Sequence, residues 1–263
     1  MQHVTICLTT ISARAKNLHL TLQSLAKQNY GSFSVRVYVS REPYLLDDGE
    51  FWISPECREV MRENDHVSLY YVPNTGPYRK VIPFLQERLG ENELIATADD
   101  DTIYPEDWLA TLVHHYTARR CIIAFRGHQM QPADGRWQRY RRWMTSGVKE
   151  RQGIYGLPTG KDGVLYNAMF FHRNVLDMDV AMSIAPTVDD LWLKWHTAFA
   201  DVPVFLINTS YSTQTFVDTG DGVSLYKNYN KQGGNDVAIQ ALEDYSLATF
   251  GQTLLERASR QIA

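Results

Sequence analysis

Two kinds of apolar spacing, one typical of strands and one typical of helices, alternate along the first 125 residues. Short apolar, β-branched runs are each followed by a segment with helical spacing, as shown by Leu18, Leu22 and Leu25 after the first run. This alternation predicts right-handed βαβ units and an α/β fold with a mostly parallel central sheet flanked by helices. The predicted strands are residues 3–10, 35–40, 67–72, 94–98 and 121–125, and the predicted helices lie near residues 18–26, 56–63, 81–89 and 105–120.

The periodicity changes after residue 125. Residues 126–163 are rich in Arg, Trp, Tyr and Gly and show no sustained period. We predict one domain over residues 1–263, with a regular half (1–125) and an irregular half (126–263). In the second half we predict strands at 164–171 and 202–207, a helix after Pro186, a polar loop at 208–234 and a terminal helix from 235 to about 258.

Composition indicates a folded chain with a sizeable core, because apolar residues make up 44% and charged residues 21% of its 263 residues. A formal net charge of −4 argues against general nucleic-acid binding, which usually needs a basic surface. Cys7 and Cys121 lie in apolar, strand-like runs and are expected to be reduced core residues. With no apolar run near the length of a membrane span and no signal-peptide pattern, we expect a cytoplasmic protein.

Three consecutive carboxylates, Asp99, Asp100 and Asp101, follow the apolar run at 94–98. Adjacent acids repel one another unless water or a cation screens them, and the carboxyl edge of a sheet is where α/β folds hold ligands. A hard cation such as Mg²⁺ or Mn²⁺ prefers such oxygens and shares its shell with phosphates, so the pattern predicts a metal–diphosphate site. A solvated acidic turn remains an alternative. An EF-hand is excluded by Ile103 and Tyr104, and a dehalogenase-type phosphatase carries its aspartates on the first strand, not the fourth.

Six short motifs, taken in order and spacing, resemble those of bacterial GT-A-fold glycosyltransferases similar to the family-2 type. They are residues 9–14, 76–80, 98–108, 158–166, 186–192 and 233–236. The resemblance implies a GT-A (Rossmann-like) fold and transfer of a sugar from a nucleotide-diphosphate donor, with residues 1–125 as the nucleotide-sugar half and 126–263 as the acceptor half. It also implies that Asp101, with Asp99, binds Mn²⁺ or Mg²⁺, while Asp99 and Asp100 serve the nucleotide and ribose.

Further donor-binding candidates follow the first and third predicted strands. Thr9, Thr10 and Arg14 leave the first strand at its ligand-facing end, where Arg14 can make a two-pronged phosphate contact. Arg79 and Lys80 follow a Gly-Pro turn and suit a diphosphate. The alternatives are an ordinary helix start and surface cations.

A second carboxylate pair, Asp189 and Asp190, opens a predicted helix. One of the two acids is enough to cap the helix, so the other is free for chemistry. Displacement at an anomeric carbon needs a general base for the acceptor hydroxyl, and in similar enzymes the second acid of such a pair has this role. We therefore predict Asp190 as the base of an inverting reaction and Asp189 as a cap or acceptor contact, with the exchanged roles left open.

Acceptor-side candidates are Gly163, Tyr166, Asn235 and Asp236. Many GT-A enzymes complete the metal shell with a C-terminal His, but the last His here is His196, so Asn235 or Asp236 either substitutes or caps a helix. Residues 136–143 interleave cations with aromatic side chains. This segment is expected to bind a lipid-diphosphate acceptor, to contact an anionic membrane surface, or to be a solvated loop stacked on the core.

The leading hypothesis is a metal-dependent, inverting glycosyltransferase that moves a sugar from a UDP-sugar to a bacterial surface glycan, free or lipid-linked, at the cytoplasmic face of the membrane. A sugar-nucleotidylyltransferase is a second hypothesis, disfavoured because the first strand lacks a glycine-rich, Arg-containing loop. A catalytically inactive nucleotide- or glycan-binding module is a third.

Overall fold

The structure is a computed structural model that describes residues 1–210, 215–220, 222 and 224–260. Part of the predicted polar loop at 208–234, namely residues 211–214, 221 and 223, therefore lies outside the described residues. The strands are β1 (Val4–Thr9), β2 (Phe33–Val39), β3 (Val67–Tyr71), β4 (Leu94–Thr97), β5 (Thr102–Ile103), β6 (Ile122–Ala124), β7 (Gly127–Gln129), β8 (Pro132–Ala133), β9 (Arg136–Trp137), β10 (Gln152–Gly153), β11 (Gly156–Pro158), β12 (Val164–Asn167), β13 (Val204–Leu206) and β14 (Val217–Asp218). The α-helices are α1 (Leu18–Ala26), α2 (Pro55–Glu63), α3 (Ile82–Arg88), α4 (Trp108–Arg119), α5 (Tyr140–Thr145), α6 (Met178–Ile184), α7 (Asp189–Ala198), α8 (Leu225–Asn228), α9 (Gly234–Phe250) and α10 (Leu254–Arg260).

The central sheet has the order β10-β13-β6-β12-β4-β1-β2-β3 in the described chain. Strands β1, β2, β3, β4, β6 and β13 share one direction, while β12 and β10 run against them. The predicted α/β fold with a mostly parallel sheet is therefore confirmed. Strand order reverses between β1 and β4, and such a switch point leaves a crevice at the carboxyl ends of its strands.

Two apolar layers cover the two faces of this sheet. On β1, Ile6 and Leu8 pack into one layer and Cys7 into the other, as the alternation of side chains along a strand requires. The predicted core cysteines Cys7 and Cys121 are both buried and unpaired, and burial raises the pKa of Cys121 to about 11. Strands from both predicted halves of the chain build this one sheet.

Several predicted boundaries are wrong for local reasons. The predicted strand at 164–171 ends at Asn167, whose side chain accepts a hydrogen bond from Met169 N and starts a 3₁₀ turn. The predicted terminal helix breaks at Gly251, whose φ of +72° ends α9 before α10 begins. The loop predicted at 208–234 contains β14 and α8.

Within the described ranges, no helix combines the length and hydrophobicity that crossing a membrane requires.

Candidate active site

A cleft of about 530 Å³ opens at the carboxyl edge of the sheet, beside the switch point. Because β1 and β4 end here, their following residues form its floor, and later loops form its walls. The predicted residues that line it are Thr9, Thr10, Arg14, Arg79, Lys80, Asp99, Asp100, Asp101, Asp189, Asp190 and Asn235. The fold thus brings together side chains that lie as far apart in sequence as Thr9 and Asn235.

The three aspartates after β4 have different partners. Asp99 Oδ1 accepts a hydrogen bond from Lys80 Nζ at 2.6 Å. Asp100 Oδ1 accepts one from Arg14 Nη1 at 2.6 Å, and the same nitrogen lies 3.3 Å from Asp101 Oδ2. The side chain of Asp100 is only 5% exposed, whereas that of Asp101 is 24% exposed, so Asp101 is available to a ligand and Asp100 serves to hold Arg14.

The surroundings of the triplet shift the pKa values of Asp99 and Asp101 in opposite directions. Burial raises the pKa of Asp101 to about 6, together with the charges of Asp99 and Asp100, and Arg14 offsets this in part. Burial acts on Asp99 in the same sense, but the adjacent Lys80 ammonium outweighs it and lowers the pKa of Asp99. The carboxylate of Asp101 is therefore the one for which a further cation would bring the larger relief.

Asp218 is a residue of this site that the sequence analysis missed. Strand β14 pairs with β5, and Thr219 N donates a hydrogen bond to Asp101 O at 2.7 Å. A methyl group built on Gly220 would lie 3.0 Å from Asp218 Oδ1 and 3.1 Å from Asp101 Oδ2, so one oxygen of each carboxylate lies beside this glycine. Asp218 Oδ1 also accepts a hydrogen bond from Gly220 N at 2.7 Å, and its Oδ2 lies 3.4 Å from Lys161 Nζ. No periodicity marks a two-residue strand, and the available signal was the run of Asp and Gly at 218–222.

The donor set of Asp101 and Asp218 fits Mg²⁺ or Mn²⁺ that shares its coordination with phosphate oxygens and water. In the described part of the chain, no three Asp, Glu, His or Cys side chains cluster so as to hold a metal ion alone. Asp236 accepts a hydrogen bond from Tyr140 N at 2.7 Å and so engages the start of α5. His196 is buried in the core, with its ring 4.2 Å from that of Trp192.

Asp189 and Asp190 occupy the first turn of α7 and differ in their surroundings. Asp190 Oδ2 accepts a hydrogen bond from Gly160 N at 3.1 Å. Burial and the neighbouring Asp189 raise the pKa of Asp190 to about 8, although Lys80 opposes them. Burial also raises the pKa of Asp189, but Lys80 and the backbone amides of the first turn favour its charged form. The amides of the helix terminus thus act mainly on Asp189.

Gly160 lies between the aspartate triplet after β4 and the aspartate pair on α7. A Cβ atom there would lie 3.1 Å from Lys80 Nζ, 3.4 Å from Asp190 Oδ1 and 3.7 Å from Asp99 Oδ1. Burial disfavours the charge on Lys80, but Asp99, Asp189 and Asp190 together raise its pKa, so it stays an ammonium. Lys80 therefore links the aspartate triplet to the pair on α7.

Arg79 lies at the cleft, but other groups of the protein occupy its guanidinium. Its side chain is 1% exposed, with Nη1 2.8 Å from Asp47 Oδ2 and Nη2 donating to Thr10 O at 3.3 Å. Asp47 belongs to a loop that lines the cleft with Tyr44 and was not singled out from the sequence. Arg79 thus fixes a cleft wall, whereas the sequence analysis expected it to contact the diphosphate.

The predicted acceptor-side residues separate into two groups. Asn235 lines the cleft, but Gly163, Tyr166 and Asp236 are not among its described lining residues. Gly163, at φ +95°, packs against Trp108, where a Cβ would approach Cζ2 to 2.5 Å. Tyr166 is buried in β12, with its ring 5.3 Å from that of Phe171. Their roles stay predictions, and their contacts here are structural.

No protein-family model and no curated protein sequence matches the chain. Among solved structures, S. aureus TarS 1-349 in complex with UDP-GlcNAc is similar, with a TM-score of 0.52 at 14% identity over 95% of this chain and 73% of that chain. The same protein with UDP has a TM-score of 0.49, at 14% identity over 93% and 72% of the two chains. The 4-diphosphocytidyl-2C-methyl-D-erythritol synthase of Anaerococcus prevotii has 0.47, at 11% identity over 81% and 90%. With the sheet order above, the likeness to the UDP-GlcNAc complex establishes a fold of the GT-A type.

Proposed function

We propose that the chain is an inverting glycosyltransferase that uses a nucleotide-diphosphate sugar of the uridine class and a divalent cation. The observation that carries this proposal is the meeting of Lys80, Asp99 and Asp190 around Gly160, beside Asp101 and Asp218. A site for a diphosphate and a site for a base then share one cleft on a GT-A-type fold. The proposed acceptor is a hydroxyl of a bacterial surface glycan, free or lipid-linked.

On the donor side, the chain supplies two cations to a diphosphate. Arg14 presents a planar fork suited to phosphate oxygens, and Lys80 adds a point charge between the triplet and the α7 pair. Asp101 and Asp218 would hold Mn²⁺ or Mg²⁺, with Asp99 beside them. When bound, this ion supplies neutralisation of the charge that develops on the leaving diphosphate.

On the acceptor side, Asp190 takes the proton of the attacking hydroxyl. The hydroxyl oxygen forms the bond to the anomeric carbon, the bond from that carbon to the diphosphate oxygen breaks, and the nucleoside diphosphate leaves with the electron pair. A single displacement of this kind inverts the anomeric centre. Burial and the neighbouring Asp189 raise the pKa of Asp190, which makes its carboxylate a stronger base than that of an exposed aspartate.

The experiment that tests the proposal is a screen of UDP-sugars for slow hydrolysis to UDP in Mn²⁺, with isothermal titration of UDP in parallel. We expect turnover of at least one donor and its loss in excess chelator. Binding of UDP without turnover of any donor would indicate an inactive binding module, and absence of both would contradict the proposal.

A further inference from the structure

The surface beside the cleft is strongly basic. Residues 131–149 carry five basic side chains and a single acidic one, Asp134, although the whole chain has a formal net charge of −4. We call its four exposed arginines the arginine surface: Arg136, Arg139, Arg141 and Arg142. None of the ion pairs found within the described ranges uses these four side chains.

The interleaved aromatic residues of this segment point inward. Trp143 is 1% exposed, and its ring lies 5.8 Å from that of Trp137 and 5.6 Å from that of Tyr140. These contacts fix α5 and the β8–β9 hairpin to the core, so the arginines between them are turned outward. The described residues of 131–149 include no exposed large apolar side chain. A helix that inserts into a bilayer surface needs such an apolar face, so the segment does not fit membrane insertion.

The segment that carries the arginine surface reaches the cleft at Tyr140. Tyr140, which Arg139 and Arg141 flank in sequence, lines the cleft together with Asn235 and Tyr226. Tyr226 Oη also lies 3.9 Å from Sδ of Met144 on α5. A chain that leaves the cleft over Tyr140 therefore emerges beside the segment that carries these arginines.

From this arrangement we infer that the arginine surface binds phosphate groups of the acceptor, so that the acceptor is a phosphate-bearing chain. The guanidinium fork matches phosphate oxygens in two-pronged contacts, and unpaired exposed arginines keep those donors available. Carboxylates outnumber cations along the cleft itself, so an anionic acceptor needs basic residues outside it. This inference rests on the proposed function, since it concerns the acceptor of that same reaction.

The test uses long-chain inorganic polyphosphate, labelled with fluorescein, as a phosphate chain without sugar or lipid. Its affinity for the full chain is measured by fluorescence anisotropy over a salt series. The variant combines Arg139→Gln, Arg141→Gln and Arg142→Gln. A control of equal charge combines Arg58→Gln, Arg62→Gln and Arg173→Gln, all exposed and outside the cleft lining. Vesicles of equimolar phosphatidylcholine and phosphatidylglycerol form a second arm.

We expect the parent and the control to bind polyphosphate equally and the variant to bind about tenfold more weakly or worse, because three phosphate contacts are lost. The slope of log K against log salt should fall by about 2, since each contact to a single phosphate chain contributes roughly 0.7. Equal binding by the variant, equal loss in the control, or binding to vesicles but not to polyphosphate would each overturn the inference. In the presence of Mn²⁺, the parent, the variant and the control should bind UDP with the same affinity. A parent that binds polyphosphate but not UDP would count against the proposed function and leave the arginine surface as a phosphate site.

Discussion

At the scale of single residues, the proposed function gives the neighbours Asp189 and Asp190 different roles. Asp190→Asn keeps the size of the side chain but removes its proton-accepting charge. Loss of a general base typically costs 10²–10⁴-fold in rate, about 3–5 kcal/mol of barrier, so kcat should fall by that factor while UDP affinity and melting temperature persist. Asp189 lies in the first turn of α7, after Val188 at the cap position, so Asp189→Asn should instead cost about 0.3–1 kcal/mol of stability through the helix dipole, with a smaller loss of turnover. If Asp189→Asn is inactive but stable, Asp189 is the base and the two roles are exchanged. If both variants are active, the base is another residue.

Lys194 is a buried lysine that no part of the proposed mechanism uses. It is fully buried in α7, donates to Ile154 O at 2.6 Å, and burial lowers its pKa to about 7. The unfolded chain, with a lysine pKa near 10.4, binds more protons than the folded one between pH 7 and 10, so the free energy of unfolding rises with pH there. For Lys194 alone this rise is about 2 kcal/mol from pH 7 to 9.

Lys194→Met should remove that contribution. Urea unfolding at pH 7 and pH 9 should show the parent gaining about 2 kcal/mol more than the variant over this interval. Lys149→Met, at an exposed position, should follow the parent. Equal pH dependence of the parent and Lys194→Met would mean that Lys194 is charged in the folded protein.

At the scale of elements, how much the sequence predicts depends on how local the signal is. Strands β1 to β4 and their helices carry their own apolar periodicity, and they place Asp99 to Asp101 correctly at the edge of the sheet. The antiparallel direction of β12 depends on which strands it joins, which no local pattern encodes. The same holds for the β14–β5 pairing that positions Asp218. From the local sequence, Arg79 reads as a surface cation. Its burial depends on Asp47, which lies 32 residues earlier in the chain.

The loop that carries Asp47 is held by this buried ion pair. Asp47→Ala should destabilise the fold by about 3–5 kcal/mol, because it leaves the Arg79 guanidinium buried without its carboxylate. UDP affinity should fall as well, since Asp47 and Tyr44 of this loop line the cleft. Glu91→Ala is the control, because its pair with Arg88 is exposed and should contribute under about 1 kcal/mol. Similar losses in the two variants, from urea unfolding, would contradict the structural role of Arg79.

At the scale of the whole molecule, charge is separated between the cleft and the arginine surface. The described lining of the cleft includes seven aspartates and five basic residues, so the ion pairs with Arg14, Arg79 and Lys80 offset the repulsion between carboxylates only in part. A cation that binds the folded state relieves this repulsion and stabilises the fold by mass action. At a concentration one hundred times its Kd, the gain is about 2.7 kcal/mol, or roughly 5–10 °C in melting temperature.

Mn²⁺ added with UDP should therefore raise the melting temperature of the parent by about 5–10 °C, and chelator should reverse the rise. Asp218→Asn keeps the shape of the β14 turn but removes the charge of one of the two carboxylates beside Gly220, so its shift should be much smaller. Asp244→Asn removes an equal charge from the exposed face of α9 and should keep the full shift. Electron paramagnetic resonance of free Mn²⁺ gives the affinity independently of turnover. A full shift and an unchanged Mn²⁺ affinity in Asp218→Asn would show that the ion is held by Asp101 without help from the β14 segment.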